Sequence, residues 1–132
     1  ALEYFQRSRE VYEKIGDLHG VGNAMTNIGE IYSRQGLYSL ALEYLVKCKA
    51  IYEENNDLDG VAETGLEIGM VYGKQGNTTL ALEYFQKALR TYEQIGNRSG
   101  VAQTLSVVGA TYLQTGNIKK AAECANHSYN YA

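Results

Sequence analysis

The residue types that could do catalytic or metal chemistry are few and far apart in this chain. Its only histidines are His19 and His127, and its only cysteines are Cys48 and Cys124. Nucleophilic catalysis needs a serine or cysteine beside both a base and an orienting acid, and no residue spacing here indicates that arrangement. Cys124 and His127 form a C-x-x-H, but a metal centre needs three or four ligands and the chain has no second pair. We therefore expect neither enzymatic activity nor a metal or other cofactor.

The composition argues against two classes of partner. The 132 residues are 45% hydrophobic and 20% charged, their formal net charge is -3, and no uninterrupted apolar run is long enough to span a bilayer. A nucleic-acid-binding domain normally carries a basic excess, which this sequence lacks. We expect no nucleic-acid partner and no membrane partner.

The chain is organised by a period of forty residues. The letters ALEY stand at Ala1, Ala41 and Ala81, and tyrosines and glycines recur at the same spacing. A period of this size is the signature of a solenoid, in which the units cannot bury their apolar faces alone and must stack. The recurring positions include Tyr12, Tyr52 and Tyr92, then Gly20, Gly60 and Gly100, then Gly29, Gly69 and Gly109, and then Gly36, Gly76 and Gly116.

Two amphipathic helical patterns alternate within each period, and turn residues separate them. We call them the A helices, predicted at 21–35, 61–75 and 101–115, and the B helices, predicted at 2–15, 39–54, 79–95 and 118–132. A short glycine turn follows each A helix, and a longer connection (GDLHG, NDLDG or GNRSG) follows each B helix. The predicted organisation is a lone B helix at 1–19 and three repeats at 20–59, 60–99 and 100–132.

Three glycines, Gly29, Gly69 and Gly109, recur at one position inside the A helices, where a glycine costs roughly 1 kcal/mol relative to alanine. Their recurrence at one helical phase predicts that the missing side chain lets the next B helix approach closely. A small alanine of that helix would form the other half of the contact, and a tyrosine would lie beside it. In the second repeat these residues are Gly69, Ala81 and Tyr72.

The outer face of the B helices carries glutamates four residues before a lysine or arginine, a spacing that favours exposed ion pairs. We expect such pairs to decorate a solvated surface and to form no binding site. They are Glu3 with Arg7, Glu43 with Lys47 and Glu83 with Lys87.

At these positions the chain resembles the tetratricopeptide repeat family. The stretch IGMVYGKQGNTTLALEYFQKA carries the family's pattern at Ile68, Gly69, Tyr72, Gly76, Ala81, Phe85 and Ala88. The period exceeds the common one of about thirty-four residues and is similar to that of a longer-helix subclass. The aromatic residue that often opens helix A in the family is replaced here by Met25, Gly65 and Leu105. The resemblance implies an all-α fold, a right-handed superhelical α-solenoid of antiparallel helix pairs with seven helices in this chain.

In tetratricopeptide arrays the A helices line a concave groove, so the resemblance implies that their non-periodic residues contact the partner. In the first repeat these residues are Asn23, Thr26, Asn27, Glu30 and Arg34. In the second they are Glu63, Leu66, Glu67, Met70 and Lys74, and in the third Gln103, Ser106, Val107, Ala110 and Gln114. The basic and amide side chains with which chaperone-type members grip a terminal carboxylate are absent from the corresponding places.

The predicted groove has an acidic middle at Glu30, Glu63 and Glu67, beside an apolar end. One interpretation is a protein-interaction scaffold that binds a peptide or helical segment with basic and apolar anchors. In the other, the glutamates are only a solvated face. The alternative function is a ligand- or peptide-sensing regulatory domain of a larger signalling protein, and a third is a segment that only spaces or oligomerises its parent.

The first residues lie in the middle of a repeat, so we expect the chain to be a piece of a longer array. Helices at both ends would then leave apolar residues uncovered, and end-to-end self-association is expected. Cys48 and Cys124 lie in repeats too far apart for a disulfide. We expect both to be buried thiols, as is typical of a reducing, cytoplasmic location.

Overall fold

Seven α-helices follow one another in the computed structural model, which describes the backbone of residues 1–131 and their side chains except those of Ile15, Leu18 and residues 125–131. Each helix packs against the next, and α4 also contacts α2 and α6. The even-numbered helices are the predicted A helices and the odd-numbered ones the predicted B helices. The bounds are α1 (Leu2–Ile15), α2 (Leu18–Arg34), α3 (Tyr38–Glu54), α4 (Leu58–Lys74), α5 (Thr78–Ile95), α6 (Arg98–Gln114) and α7 (Ile118–Tyr131).

The A helices begin three residues earlier than the apolar pattern predicts. In α4 the Asp57 carboxylate accepts a hydrogen bond of 3.0 Å from the Gly60 backbone N–H, which caps the first turn. Asp17 and Asn97 cap α2 and α6 in the same way. The prediction of a five-residue connection was therefore wrong, because its last three residues already form helix.

The turn after each A helix ends in a glycine with a left-handed backbone, such as Gly76 at φ 84°. Its N–H donates to the Gly73 carbonyl and the Asn77 N–H donates to the Tyr72 carbonyl, so the last carbonyls of α4 are satisfied. The turns after α1 and α5 also contain a left-handed glycine. After α3 the corresponding residue is Asn56, whose φ of 54° makes it the one non-glycine residue with a positive φ in the described chain.

The contact between α4 and α5 is as close as the sequence predicts. A Cβ atom built on Gly69 would lie 2.6 Å from the Phe85 ring and 3.1 Å from the Ala81 carbonyl oxygen. Tyr72 lies beside this contact and stacks on Tyr84 with ring centroids 5.6 Å apart. The recurring glycine thus marks a place where a B helix lies against bare backbone.

The hydrophobic core runs along the array between the two sets of helices. Its largest cluster joins α4, α5 and α6 through residues such as Leu66, Phe85 and Leu105. Cys48 lies in a neighbouring cluster, is fully buried and donates from Sγ to the Gly22 carbonyl at 3.1 Å. Cys124 is a free thiol that is only partly buried. The prediction of two buried thiols was therefore right for Cys48 and wrong for Cys124, which lies near the end of the described core.

Two of the three predicted surface ion pairs are present. The Glu3–Arg7 and Glu43–Lys47 pairs have N–O distances of 3.9 and 3.5 Å. Lys87 instead places its ammonium group 5.7 Å from the centroid of the Tyr84 ring, a cation–π contact. No helix of the described chain is both long and apolar enough to cross a membrane.

Candidate functional site

The helices α2, α4 and α6 lie side by side and present one surface, which we call the groove face. It consists of the side chains that these helices turn away from α3 and α5. Three hollows lie on it, and α4 contributes to every one. The middle repeat therefore dominates this face.

The apolar hollow, of about 420 Å³, lies between α4 and α6. Met70 and Val107 form its walls together with Ala110, and the polar side chains of Ser106 and Gln114 are at its rim. Met70 is 37% exposed, so part of its apolar side chain faces this hollow. This hollow could accept one apolar side chain.

The acidic hollow, of about 270 Å³, lies one to two turns nearer the N-termini of α4 and α6. Asp59, Glu63 and Glu67 contribute its carboxylates, and Tyr92 and Gln103 also line it. No lysine or arginine is among its lining residues. A cation placed here would therefore meet several carboxylates and a phenol oxygen.

The third hollow, of about 100 Å³, lies between α2 and α4 and has a mixed charge. Glu30 forms an ion pair with Arg34, and Lys74 donates from Nζ to Ser33 Oγ at 3.2 Å. Glu67 lies between this hollow and the acidic one and lines both. The negative charge predicted for Glu30 is thus compensated by an ion pair, whereas no lysine or arginine lines the acidic hollow.

Burial and repulsion between carboxylates disfavour the ionised forms of Glu63 and Glu67. Burial raises the pKa of Glu67 above its usual range, the charges of Glu30 and Glu63 raise it further, and Lys74 opposes the shift. The pKa of Glu63 is also raised, first by burial and then by Asp59, against the opposing effect of His19. A cation placed beside these carboxylates would relieve this repulsion.

Two tyrosines of the B helices reach the groove face, which the sequence interpretation did not foresee. The Tyr52 hydroxyl donates to Asn23 Oδ1 at 3.2 Å, and burial raises its pKa. Burial, with the charge of Glu63, raises the pKa of Tyr92 to about 12. Both recur with the forty-residue period, and their rings cover Gly60 and Gly100. The length of the tyrosine side chain could have predicted this placement. A ring that packs against the first turn of an A helix places its hydroxyl group beyond that helix.

Polar contacts also join successive A helices at their N-termini. His19 Nδ1 lies 3.2 Å from Asp57 Oδ2, and Asn97 Nδ2 donates to Asp59 Oδ1 at 2.8 Å. Each contact links a first-turn residue to a cap residue in an adjacent repeat. The sequence analysis did not predict these links between repeats.

Most of the predicted groove residues lie at least partly exposed on the groove face, with two exceptions in orientation. Leu66 is only 1% exposed and belongs to the core. Thr26 donates to the Gly22 carbonyl at 2.9 Å and contacts Cys48, so its hydroxyl is engaged toward α3. Asn23 and Asn27 lie on α2 outside the three hollows. The others line one or more of the hollows: Glu30, Arg34, Glu63, Glu67, Met70, Lys74, Gln103, Ser106, Val107, Ala110 and Gln114.

The described residues include no group of three or more histidine, cysteine, aspartate or glutamate side chains placed to hold a metal ion. The side chain of His127, which closes the C-x-x-H of the sequence, lies outside the described residues.

A family model described as tetratricopeptide repeat matches residues 1–54 and 61–132, which is nearly the whole chain. The chain belongs to the tetratricopeptide repeat family. The recurring glycine, tyrosine and alanine positions and the seven alternating helices are those of such an array, and the fold is an all-α solenoid. A search of curated protein sequences gave no match.

Solved structures support the same fold. A Rap protein complexed with Competence and Sporulation Factor has a TM-score of 0.91 at 17% identity, over 99% of this chain and 37% of that one. BtubC (BKLC) from P. vanneervenii has a TM-score of 0.82 at 17% identity, over 98% and 54%. A signal transduction ATPase with numerous domains and a tetratricopeptide repeat sensor, from Pyrococcus horikoshii, has a TM-score of 0.81 at 22% identity, over 98% and 20%. The chain spans about half or less of each of these proteins.

Proposed function

We propose that this tetratricopeptide array is a non-enzymatic protein-interaction module, and that its groove face binds a peptide or helical segment with one basic and one apolar anchor. The observation that carries the proposal is that an acidic hollow and an apolar hollow lie next to each other along the groove face between α4 and α6. Two neighbouring hollows of different chemistry fit alternate side chains of one bound segment.

The basic anchor would enter the acidic hollow between Glu63 and Glu67. Because the pKa of each carboxyl is raised by burial and by neighbouring carboxylates, a lysine or arginine there gains attraction while relieving repulsion. Aligned charges of one sign on a recessed wall also speed the encounter with a basic segment. Glu30 contributes less than the sequence suggested, since Arg34 already pairs with it.

The apolar anchor would enter the hollow lined by Met70, Val107 and Ala110. Methionine adapts its shape to different partners because its side chain is unbranched and polarisable. Val107 already packs against the core cluster and gives this hollow a fixed wall. A leucine or similar residue of the partner would cover the exposed part of Met70.

The proposal is tested by measuring the binding of a panel of peptides that combine lysine or arginine with leucine. Fluorescence anisotropy at two ionic strengths would compare the wild type with Glu67→Lys. We expect the substitution to weaken binding by about 1 kcal/mol or more, close to a fivefold change in Kd. The loss should shrink at high salt, because salt screens exposed charges beyond about 8 Å at physiological ionic strength.

The matched control is Glu83→Lys, which makes the same charge change at an exposed position on α5, away from the groove face. It should alter binding little. Equal losses from the two substitutions, or tighter binding by Glu67→Lys, would mean that the groove carboxylates are only a solvated face.

A second candidate function is ligand or peptide sensing within a larger signalling protein. It is favoured by the fold likeness to a Rap protein solved with Competence and Sporulation Factor and to an ATPase with a tetratricopeptide repeat sensor. Small-angle scattering of the full-length protein with and without a groove-binding peptide separates the two functions, since sensing requires a change of shape on binding.

Self-association through the ends of the array also stays a proposal. Tyr4 and Val11 on α1 are 68% and 56% exposed, and Leu113 and Ile118 at the other end are 60% and 71% exposed. Apolar side chains of this kind favour contact between copies. Light scattering across protein concentrations tests it, and a constant monomer mass would rule it out.

A further inference from the structure

A further cavity lies away from the groove face. It has a volume of about 500 Å³ and opens between α3 and α5, with the first half of α4 as its floor. Val61, Ala62 and Ala88 give the interior an apolar surface, and Tyr84 forms one wall. A recess of this size and lining matches the usual range for small-molecule sites.

The cavity exists because Gly65 lacks a side chain. The residues at the same phase in the neighbouring repeats are Met25 and Leu105, which are only 2% and 4% exposed and fill the corresponding space. A Cβ atom added to Gly65 would meet nothing within 4 Å, although the residue itself is buried. Gly65 therefore leaves open a space at the phase where the neighbouring repeats have the buried side chains of Met25 and Leu105.

Two cations flank the aromatic wall of this cavity. Lys49 and Lys87 place their ammonium groups 5.5 and 5.7 Å from the centroid of the Tyr84 ring. Lys49 is within 3.9 Å of Glu53, a contact that partly balances its charge. Lys87 makes the cation–π contact in place of the ion pair that its sequence spacing suggested, which keeps its charge at the cavity.

The rim is more basic than the same place in the first repeat. Lys49, Lys87 and Arg90 face one carboxylate, Glu53, around the cavity. The first repeat has alanine at the position of Arg90 and glutamate at the position of Gln94, where the cavity has an amide. Both departures from the period add positive charge relative to the first repeat, in a chain whose net charge is -3.

We propose that this cavity binds a small aromatic acid. The aromatic body would lie on the apolar floor above Gly65 and against Tyr84, and the acidic group would meet Lys87 and Arg90 at the rim. An apolar recess excludes water around the ring, and cations at its mouth favour a carboxylate or sulfonate over a neutral analogue. The site is separate from the groove face, so a failure of the proposed peptide binding would not affect this proposal.

Anilinonaphthalene sulfonate is a suitable probe, because it joins an aromatic body to one acidic group and fluoresces when it leaves water. We would titrate it into the wild type, Gly65→Leu and the control Gly73→Ala, which lies on the same helix outside the cavity. Gly65→Leu installs the residue found at Leu105, and we expect it to weaken dye binding at least about tenfold by filling the recess. Gly73→Ala should bind the dye as the wild type does.

The charge at the rim is tested with N-phenylnaphthylamine, which has the same aromatic body without the sulfonate. The wild type should prefer the sulfonate, and a Lys87→Gln/Arg90→Gln double variant should lose most of that preference, about fivefold. The neutral dye should bind the double variant as well as it binds the wild type. Equal affinity of the wild type for the two dyes would overturn the assignment of an acid.

Binding of the sulfonate by Gly65→Leu at wild-type affinity would show that the dye binds elsewhere, for example at the exposed ends, and would overturn the proposal. If Gly65→Leu does not fold, Gly65→Met repeats the test with the residue found at Met25. Amide chemical shifts of wild-type Ala62 and Ala88 provide a measurement without substitution. They should move on addition of the dye, and their constancy would also refute the site.

Discussion

Gly65 and Gly69 lie one turn apart on α4, yet their surroundings are opposite. A side chain at Gly69 would collide with Phe85 and the backbone of Ala81, whereas one at Gly65 would enter empty space. Gly69 recurs in all three repeats, and Gly65 occurs in only one. The recurring glycine marks a crowded contact at Gly29 and Gly69 and a looser one at Gly109, where an added Cβ atom would lie 3.4 Å from the Cys124 Cβ. The isolated Gly65 marks a place where one repeat differs.

The same distinction holds for the charged face of α4. Ile68 recurs as isoleucine or valine and is 1% exposed, but its neighbour Glu67 is replaced by Asn27 and Val107 in the adjacent repeats. Ile68, which recurs, belongs to the core, and Glu67, which changes between repeats, lines two hollows. In a stacked array every unit must bury the same stripe, so chemistry specific to one unit has to lie at positions that break the period.

The largest expected effect concerns the close contact between Gly69 and α5. Gly69→Val should destabilise the array by on the order of 1–3 kcal/mol, because the new side chain overpacks the contact with Phe85 and the α5 backbone. Thermal melts followed by circular dichroism would measure it.

The control for that contact is Gly73→Ala. Gly73 is exposed, and a Cβ atom there would lie 3.9 Å from the Ala81 Cβ, an ordinary contact. Alanine also improves helix propensity, so this variant should melt at or above the wild-type temperature. The opposite ranking of the two variants would contradict the packing described for α4 and α5.

The architecture could be predicted from the sequence because it depends on positions that repeat. The period located the seven helices, and the recurring Gly69 located the close approach of α5. Helix starts were less accurate, because the apolar stripe begins after the capped first turn that Asp57 creates. Periodicity predicts well which residues are buried, but it predicts the ends of helices poorly, since the caps depend on single hydrogen bonds.

The binding surface was predictable only in outline, because it depends on neighbours in space. Helical phase placed Glu63 and Glu67 on one face, but it also placed Leu66 there, which is buried in the core. The pairing of Glu30 with Arg34 and the arrival of the Tyr92 hydroxyl depend on side-chain direction and reach. Likewise Gly65 was recognisable in the sequence as a departure from the family pattern, but the cavity that results from it was not.

A smaller effect tests the charged side of α4 through the pH dependence of stability. Since the pKa of Glu67 is raised in the folded protein, its ionised form is disfavoured there and the folded state binds more protons. The ionised carboxylate therefore lowers stability at neutral pH, and this penalty disappears as pH falls below the unfolded pKa of about 4.3. Glu67→Gln should stabilise the protein at pH near 7 by less than about 1 kcal/mol and give no gain below pH of about 4.

Urea unfolding of the wild type and Glu67→Gln at several pH values would measure this difference, with Glu83→Gln as the exposed control. The control should show no comparable pH-dependent gain. A larger advantage for Glu67→Gln at acidic than at neutral pH would have the wrong sign and would refute the raised pKa.

The smallest effect concerns a departure from the period inside a turn. Asn56 holds a left-handed φ of 54° at the place where Gly16 and Gly96 stand in the turns after α1 and α5. A left-handed backbone costs a residue with a side chain roughly 1–2 kcal/mol, and glycine loses about 0.5–1 kcal/mol of extra chain entropy on folding. Asn56→Gly should therefore raise the free energy of unfolding by about 0.5 kcal/mol, and Asn56→Ala should lower it, because alanine lacks the polar side chain that helps asparagine tolerate this conformation. Urea titrations of the three proteins provide the ranking, and an Asn56→Ala variant as stable as Asn56→Gly would show that this turn does not require the left-handed conformation.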